Sequence, residues 1–74
     1  MLQCKKDDFV KDIRDNKVYQ VYRMDLNDDG SINHLDVLIL DKNFKSLHVY
    51  ISYMESDYKN LIEHLKLFNL NKKW

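Results

Sequence analysis

Three stretches of the chain, 18–26, 32–40 and 46–54, alternate apolar and polar residues with a period of two, and only short turn-forming segments separate them. A strand places successive side chains on opposite faces, so such alternation reads as half-buried strands joined in a meander. In the first stretch Val18, Gln20, Tyr22, Met24 and Leu26 form the set expected to face the core. The corresponding sets are Leu35, Val37 and Ile39 in the second and Leu47, Val49, Ile51 and Tyr53 in the third.

Register ties the three together, because a slip of one residue moves every side chain to the other face. A two-residue Asp29-Gly30 turn pairs Met24 with Leu35, Tyr22 with Val37 and Gln20 with Ile39. A three-residue loop over Lys42, Asn43 and Phe44 pairs Ile39 with Leu47, Val37 with Val49 and Leu35 with Ile51. Both hairpins then bury the same face.

The flanks read as helices. Residues 7–16, DDFVKDIRDN, place Phe9, Val10 and Ile13 on one helical face, with Asp7 and Asp8 where acidic groups favour a helix start. Ser56 is a candidate N-cap for a closing helix, ESDYKNLIEHLKLFNL, in which Tyr58, Leu61, Ile62, Leu65 and Phe68 recur at helical spacing. The expected architecture is a single α+β domain over residues 1–74, ordered α-β-β-β-α, with a three-stranded antiparallel meander packed against helices. Trp74, in the basic tail, is expected to fold back onto the closing helix or to offer a partner an apolar contact.

Composition narrows the function classes. With 74 residues, 45% hydrophobic and 32% charged, the chain is globular, but it is near the size at which one core supplies only about 3–5 kcal/mol. A deep enzymatic pocket is not expected. A formal net charge of zero argues against nucleic-acid binding driven by bulk positive charge. The single cysteine, Cys4, permits no internal disulfide and suits a reducing compartment. No stretch approaches the roughly 20 apolar residues of a membrane span, and the start MLQCKKDDF holds no signal-peptide core. The chain is expected to be soluble, full length and cytoplasmic.

One segment carries a nameable motif. In DLNDDGSINHLD, residues 25–36, the residues Asp25, Asn27, Asp29, Ser31 and Asp36 occupy positions of an EF-hand calcium loop, with Gly30 at its sharp turn. The piece DLNDDGSINHLDVLIL resembles a calcium-binding repeat of dockerin modules, which implies a calcium site on those five residues. The flanking period of two and the Asp-Gly pair instead favour a hairpin turn, with no metal or cofactor. His34, His48 and His64 form no metal-ligand spacing, and Cys4 has no neighbouring base, so no catalytic set is expected.

Charge is distributed unevenly. Residues 1–24 carry a net +2, residues 25–41 a net −5 with no basic residue, and residues 42–74 a net +3. An acidic block on a hairpin attracts a basic surface. Tyr19, Tyr50 and Phe44 fall on the outer face or in a loop in this register, and tyrosine is favoured at interfaces. The expected partner-binding residues are therefore Asp25, Asp28, Asp29, Asp36, Tyr19 and Tyr50.

The element order, with acidic residues at the first turn of the meander, resembles small phage-encoded anti-CRISPR proteins that bind Cas9. The resemblance implies a non-catalytic inhibitor that blocks a nucleic-acid-binding surface of a Cas nuclease or other nucleic-acid enzyme, using carboxylates in place of phosphates. It implies a protein partner and no direct contact with nucleic acid or membrane. A calcium-binding module remains the alternative, as does a regulatory subunit that pairs with itself or another chain through an open strand edge.

Overall fold

The computed structural model describes residues 2–69. It contains five strands, β1 (Phe9–Asp12), β2 (Lys17–Leu26), β3 (Ile32–Leu40), β4 (Ser46–Met54) and β5 (Leu65–Phe68), with a single 3₁₀ turn at Ile62–His64. They form one antiparallel sheet in the order β4-β3-β2-β1-β5. The three alternating stretches are strands, but both expected helices are absent, so the α+β reading is corrected to an all-β domain. The expected position of Trp74 lies outside the described residues.

Local hydrogen bonding explains the first correction. Asp12 Oδ1 accepts from the Arg14 backbone N–H (2.9 Å), and the Asn16 N–H donates to the Asp12 carbonyl (2.8 Å). Asn16 has φ +62°, a left-handed conformation that asparagine tolerates and a helix interior does not. Residues 7–16 thus supply a strand and a hairpin turn. Val10 and Asp12 face inward and Phe9 and Lys11 outward, an alternation that a ten-residue window also allows as a helical face.

The second correction has a tertiary cause. Asp57 Oδ1 accepts from the backbone of Lys59 (3.0 Å) and Asn60 (3.4 Å) in a turn. The chain then enters β5, which pairs Val10 with Leu67 and Asp12 with Leu65. Hydrogen bonding to the otherwise unpaired side of β1 outweighs the weak intrinsic preference of the segment for a helix.

Register departs from the simple meander at bulges. Met24 opposes Leu35 as expected, but Tyr22 is the extra residue of a bulge, so Val37 faces Val21 and Ile39 faces Tyr19. The core set of β2 is therefore Tyr19, Val21 and Met24, and Tyr22 turns outward. On the other side, β4 has two extra residues between Ser46 and Tyr50, with His48 at φ +61°. Val37 then opposes Ile51 and Leu35 opposes Tyr53, while Leu47 and Val49 are left half-exposed. A bulge adds residues to one strand and redirects those beyond it, which alternation alone does not reveal.

The two long hairpins have similar loops. Asn27 and Ser31 close the first and Asp41 and Lys45 the second, each with three residues between. Gly30 (φ +88°) and Phe44 (φ +63°) hold the left-handed third position. Phe44 adopts it with its ring stacked on Phe68 of β5, centroids 6.4 Å apart.

The sheet curls strongly. The Tyr53 hydroxyl on β4 donates to Asp12 Oδ2 on β1 (2.8 Å), although these strands are three positions apart in the sheet. In a flat sheet that separation is about 14 Å, farther than a tyrosine side chain extends. The inner face therefore closes around Val10, Val21, Leu35, Val37, Tyr53, Ile62 and Leu65.

Candidate acidic hairpin interface

The β2–β3 hairpin positions the carboxylates through its turn chemistry. The Gly30 N–H donates to the Asn27 carbonyl (3.0 Å), and Asp29 Oδ1 accepts from both the Ser31 N–H (2.9 Å) and the Ser31 hydroxyl (2.6 Å). These Ser31 bonds hold Asp29 below the usual carboxylate range. The Asn27 amide donates to Ser31 Oγ (2.9 Å) and to Glu55 Oε2 (3.1 Å), tying the tip to the turn after β4. Asp25, Asp28, Asp29 and Glu55 are thus exposed at one end of the sheet. Among the described residues none of the four forms an ion pair with Lys or Arg; Asp25 meets only His34, with Nδ1 3.4 Å from Oδ2.

Apolar side chains share this end. Leu26 is 58% exposed, Met54 41% and Tyr58 79%. Beside them lies an open groove of about 960 Å³, with Ile32, Leu61 and Leu67 along it and Asp29, Glu55 and Glu63 among its polar lining. Carboxylates interspersed with exposed Leu, Met and Tyr suit a surface that is basic and partly apolar.

The remaining site residues expected from sequence separate. Asp36 is only 2% exposed. It accepts from the Ser52 hydroxyl (2.6 Å), lies 2.8 Å from His34 Nε2, and pairs with Arg23 at 3.3 Å. Burial pushes its carboxyl up, but Ser52, His34 and Arg23 outweigh burial and leave it below the ordinary value. Tyr19 is in the core, 6.2 Å from the Tyr53 ring, with its phenol raised by burial and by Asp15. Tyr50 is exposed, and its ring lies 6.1 Å from that of Tyr22.

A calcium loop is not formed by Asp25, Asn27, Asp29, Ser31 and Asp36. Asp25 and Asp36 belong to different strands with the His34 ring between them, and Asn27, Asp29 and Ser31 bond one another within the turn. Among the described residues no group of three or more His, Cys, Asp or Glu could hold a metal ion. Ser52 donates to a carboxylate rather than to His34, which is not the arrangement that activates a serine nucleophile. Burial, with a further contribution from Asp8, raises the Cys4 thiol, which lowers its thiolate fraction.

Sequence reasoning missed a second polar centre. Asp12, 2% exposed, accepts from Arg14 Nε (3.1 Å), Arg14 Nη2 (2.8 Å) and the Tyr53 hydroxyl. Arg14 holds this carboxyl far below the usual range against the effect of burial. Burial and donation to Asp12 raise the Tyr53 phenol well above its ordinary value. The Asp-x-Arg spacing marks the local half of this cluster, but only the curl of the sheet brings Tyr53 to it. No protein-family model, curated protein or solved structure matches the chain. Among the described residues no helix is long and apolar enough to cross a membrane.

Proposed function

We propose that the chain is a small non-catalytic binding protein whose β2–β3 tip docks on a basic protein surface. The observation that carries this reading is the set of exposed carboxylates, Asp25, Asp28, Asp29 and Glu55, with no Lys or Arg among the described residues paired to them. Uncompensated charge at a rigid turn attracts an oppositely charged partner over a distance of about one Debye length, near 8–10 Å. Leu26, Met54 and Tyr58 add apolar contact beside it. Asp36 and Tyr19 have structural roles, and Tyr50 lies on the outer sheet face beside Tyr22.

The inhibitory form of this function is steric and electrostatic occupation of a surface that otherwise holds phosphates, as on a Cas nuclease or another nucleic-acid enzyme. The element order that linked the chain to anti-CRISPR proteins is not the order of its strands, so the acidic tip alone supports this target class. Cytoplasmic action is part of the proposal, from the single cysteine.

Competition tests it. The chain is titrated into complexes of DNA with a panel of guide-loaded Cas nucleases, and DNA retention is measured across a salt series. The expected result is displacement from a responsive nuclease that weakens as salt rises and is lost on combined Asp25→Lys, Asp28→Lys and Asp29→Lys substitution. Equal displacement by that variant overturns the tip as the binding site, and no displacement across the panel overturns the Cas target.

A further inference from the structure

We propose that two copies of the chain associate edge to edge through β4, as antiparallel strands related by a two-fold axis. β4 is an outer strand, paired with β3 along one side and met on the other, among the described residues, only at Met54, which bridges to Leu61. The Met54 N–H turns away from β3 and donates to the Asn60 carbonyl (2.9 Å). In an antiparallel ladder the pattern repeats every second residue, so the N–H and C=O of Ser52 and Tyr50 also point to the open edge. Among the described residues these groups have no backbone partner there.

Side chains distinguish this edge from an ordinary solvated one. β4, SLHVYISYM, contains no Asp, Glu, Lys or Arg, although 32% of the chain is charged. Every other strand carries at least one: Lys11 in β1, Arg23 in β2, Asp36 in β3 and Lys66 in β5. Edge strands that remain single are commonly guarded by charge, and the other edge, β5, is four residues long and carries Lys66. On β4, Leu47 is 51% exposed, Val49 53% and Tyr50 56%.

The same absence of charge selects the occupant. Each of the other strands would bring a charged side chain to the junction, whereas β4 against β4 sets uncharged residues against uncharged residues. A two-fold contact is self-complementary and closes at two copies. A formal net charge of zero provides no long-range repulsion between them. The bulge at His48, whose N–H bonds Ser46 Oγ (3.0 Å), and the contact of Met54 with Asn60 confine regular pairing to Tyr50–Ser52 and leave Leu47 and Val49 as apolar flanks.

Sedimentation velocity on the full chain over a concentration series tests the pairing. The wild type is expected to move from one chain mass to two, with amide exchange at Tyr50 and Ser52 slowing as concentration rises. Val49→Lys, at a half-exposed position, is expected to remain single throughout with an unchanged circular dichroism spectrum. If Val49→Lys does not fold, Leu47→Lys and the exchange data decide. A wild type that stays single at every concentration overturns the proposal, as does a dimer that either lysine variant leaves intact. The variant with all three tip aspartates replaced is expected to dimerise like the wild type, so failure of the acidic-tip function is distinguishable from failure of this one.

Discussion

Asp12 and Asp36 are each 2% exposed and surrounded by donors, whereas Asp28 and Asp29 stand at a hairpin tip with no cation among the described residues paired to them. A buried carboxylate loses hydration and recovers it only through fixed hydrogen bonds, so it stabilises one geometry. An exposed one keeps its hydration until a partner replaces it. The first kind therefore reports on folding and the second on association.

The largest break in this contrast is expected from Asp12→Ala, which leaves the Tyr53 hydroxyl without its acceptor. Removing one member of such a buried set costs about 3 kcal/mol, read as a lower urea midpoint at unchanged slope, with binding through the tip retained in the folded fraction. The same group sets an acid limit. Because the folded Asp12 carboxyl lies far below its unfolded value, its contribution is present above about pH 4 and is lost as pH falls further toward the folded value. Asp12→Asn is expected to flatten the dependence of stability on pH in that window, measured by urea titration at successive pH values.

Tyr53→Phe sharpens the comparison by removing one bond while Arg14 remains on Asp12. A loss of about 1.5 kcal/mol is expected, again in urea. Gly30→Ala acts at the other region: a Cβ there meets nothing within 4 Å, but φ is +88°, so the cost is that of the left-handed backbone, about 1 kcal/mol. It reshapes the tip without removing a carboxylate, and weaker partner binding is expected alongside it. The smallest effect on folding is expected from Asp28→Asn, whose thermal midpoint should match the wild type while the salt dependence of partner binding becomes shallower.

Alternation in the sequence places the three long strands within a residue of where they lie, because turn residues such as Asp29-Gly30 and Lys42-Asn43 bound each stretch. The acidic tip is legible for the same reason. The bulges at Tyr22 and His48 are not, since they obey no local period and follow from how the sheet bends. They account for the misplacement of Tyr19 and for the exposure of Leu47 and Val49. The flanking segments read as helices because Phe9-Val10-Ile13 and Leu61-Ile62-Leu65 fit a helical face over a few residues, and no local signal shows that only Val10 of the first set points inward from a strand. Pairing between β1 and β5, a contact across most of the chain, resolves that ambiguity.

That pairing has a consequence for the order of assembly. The β2–β3 and β3–β4 hairpins need only neighbouring residues, but the second side of β1 stays open until residues 65–68 are available to it. During synthesis, which proceeds from the N-terminus, a ribosome-bound chain that has released β1 through β4 can form four strands while β1 still lacks its second neighbour. Closure then depends on the most sequence-distant strand pairing among the described residues, the kind that slows folding. For that interval the nascent chain presents an unsatisfied edge of β1, and the arrival of Phe68 beside Phe9 is the event that ends its exposure to misassembly.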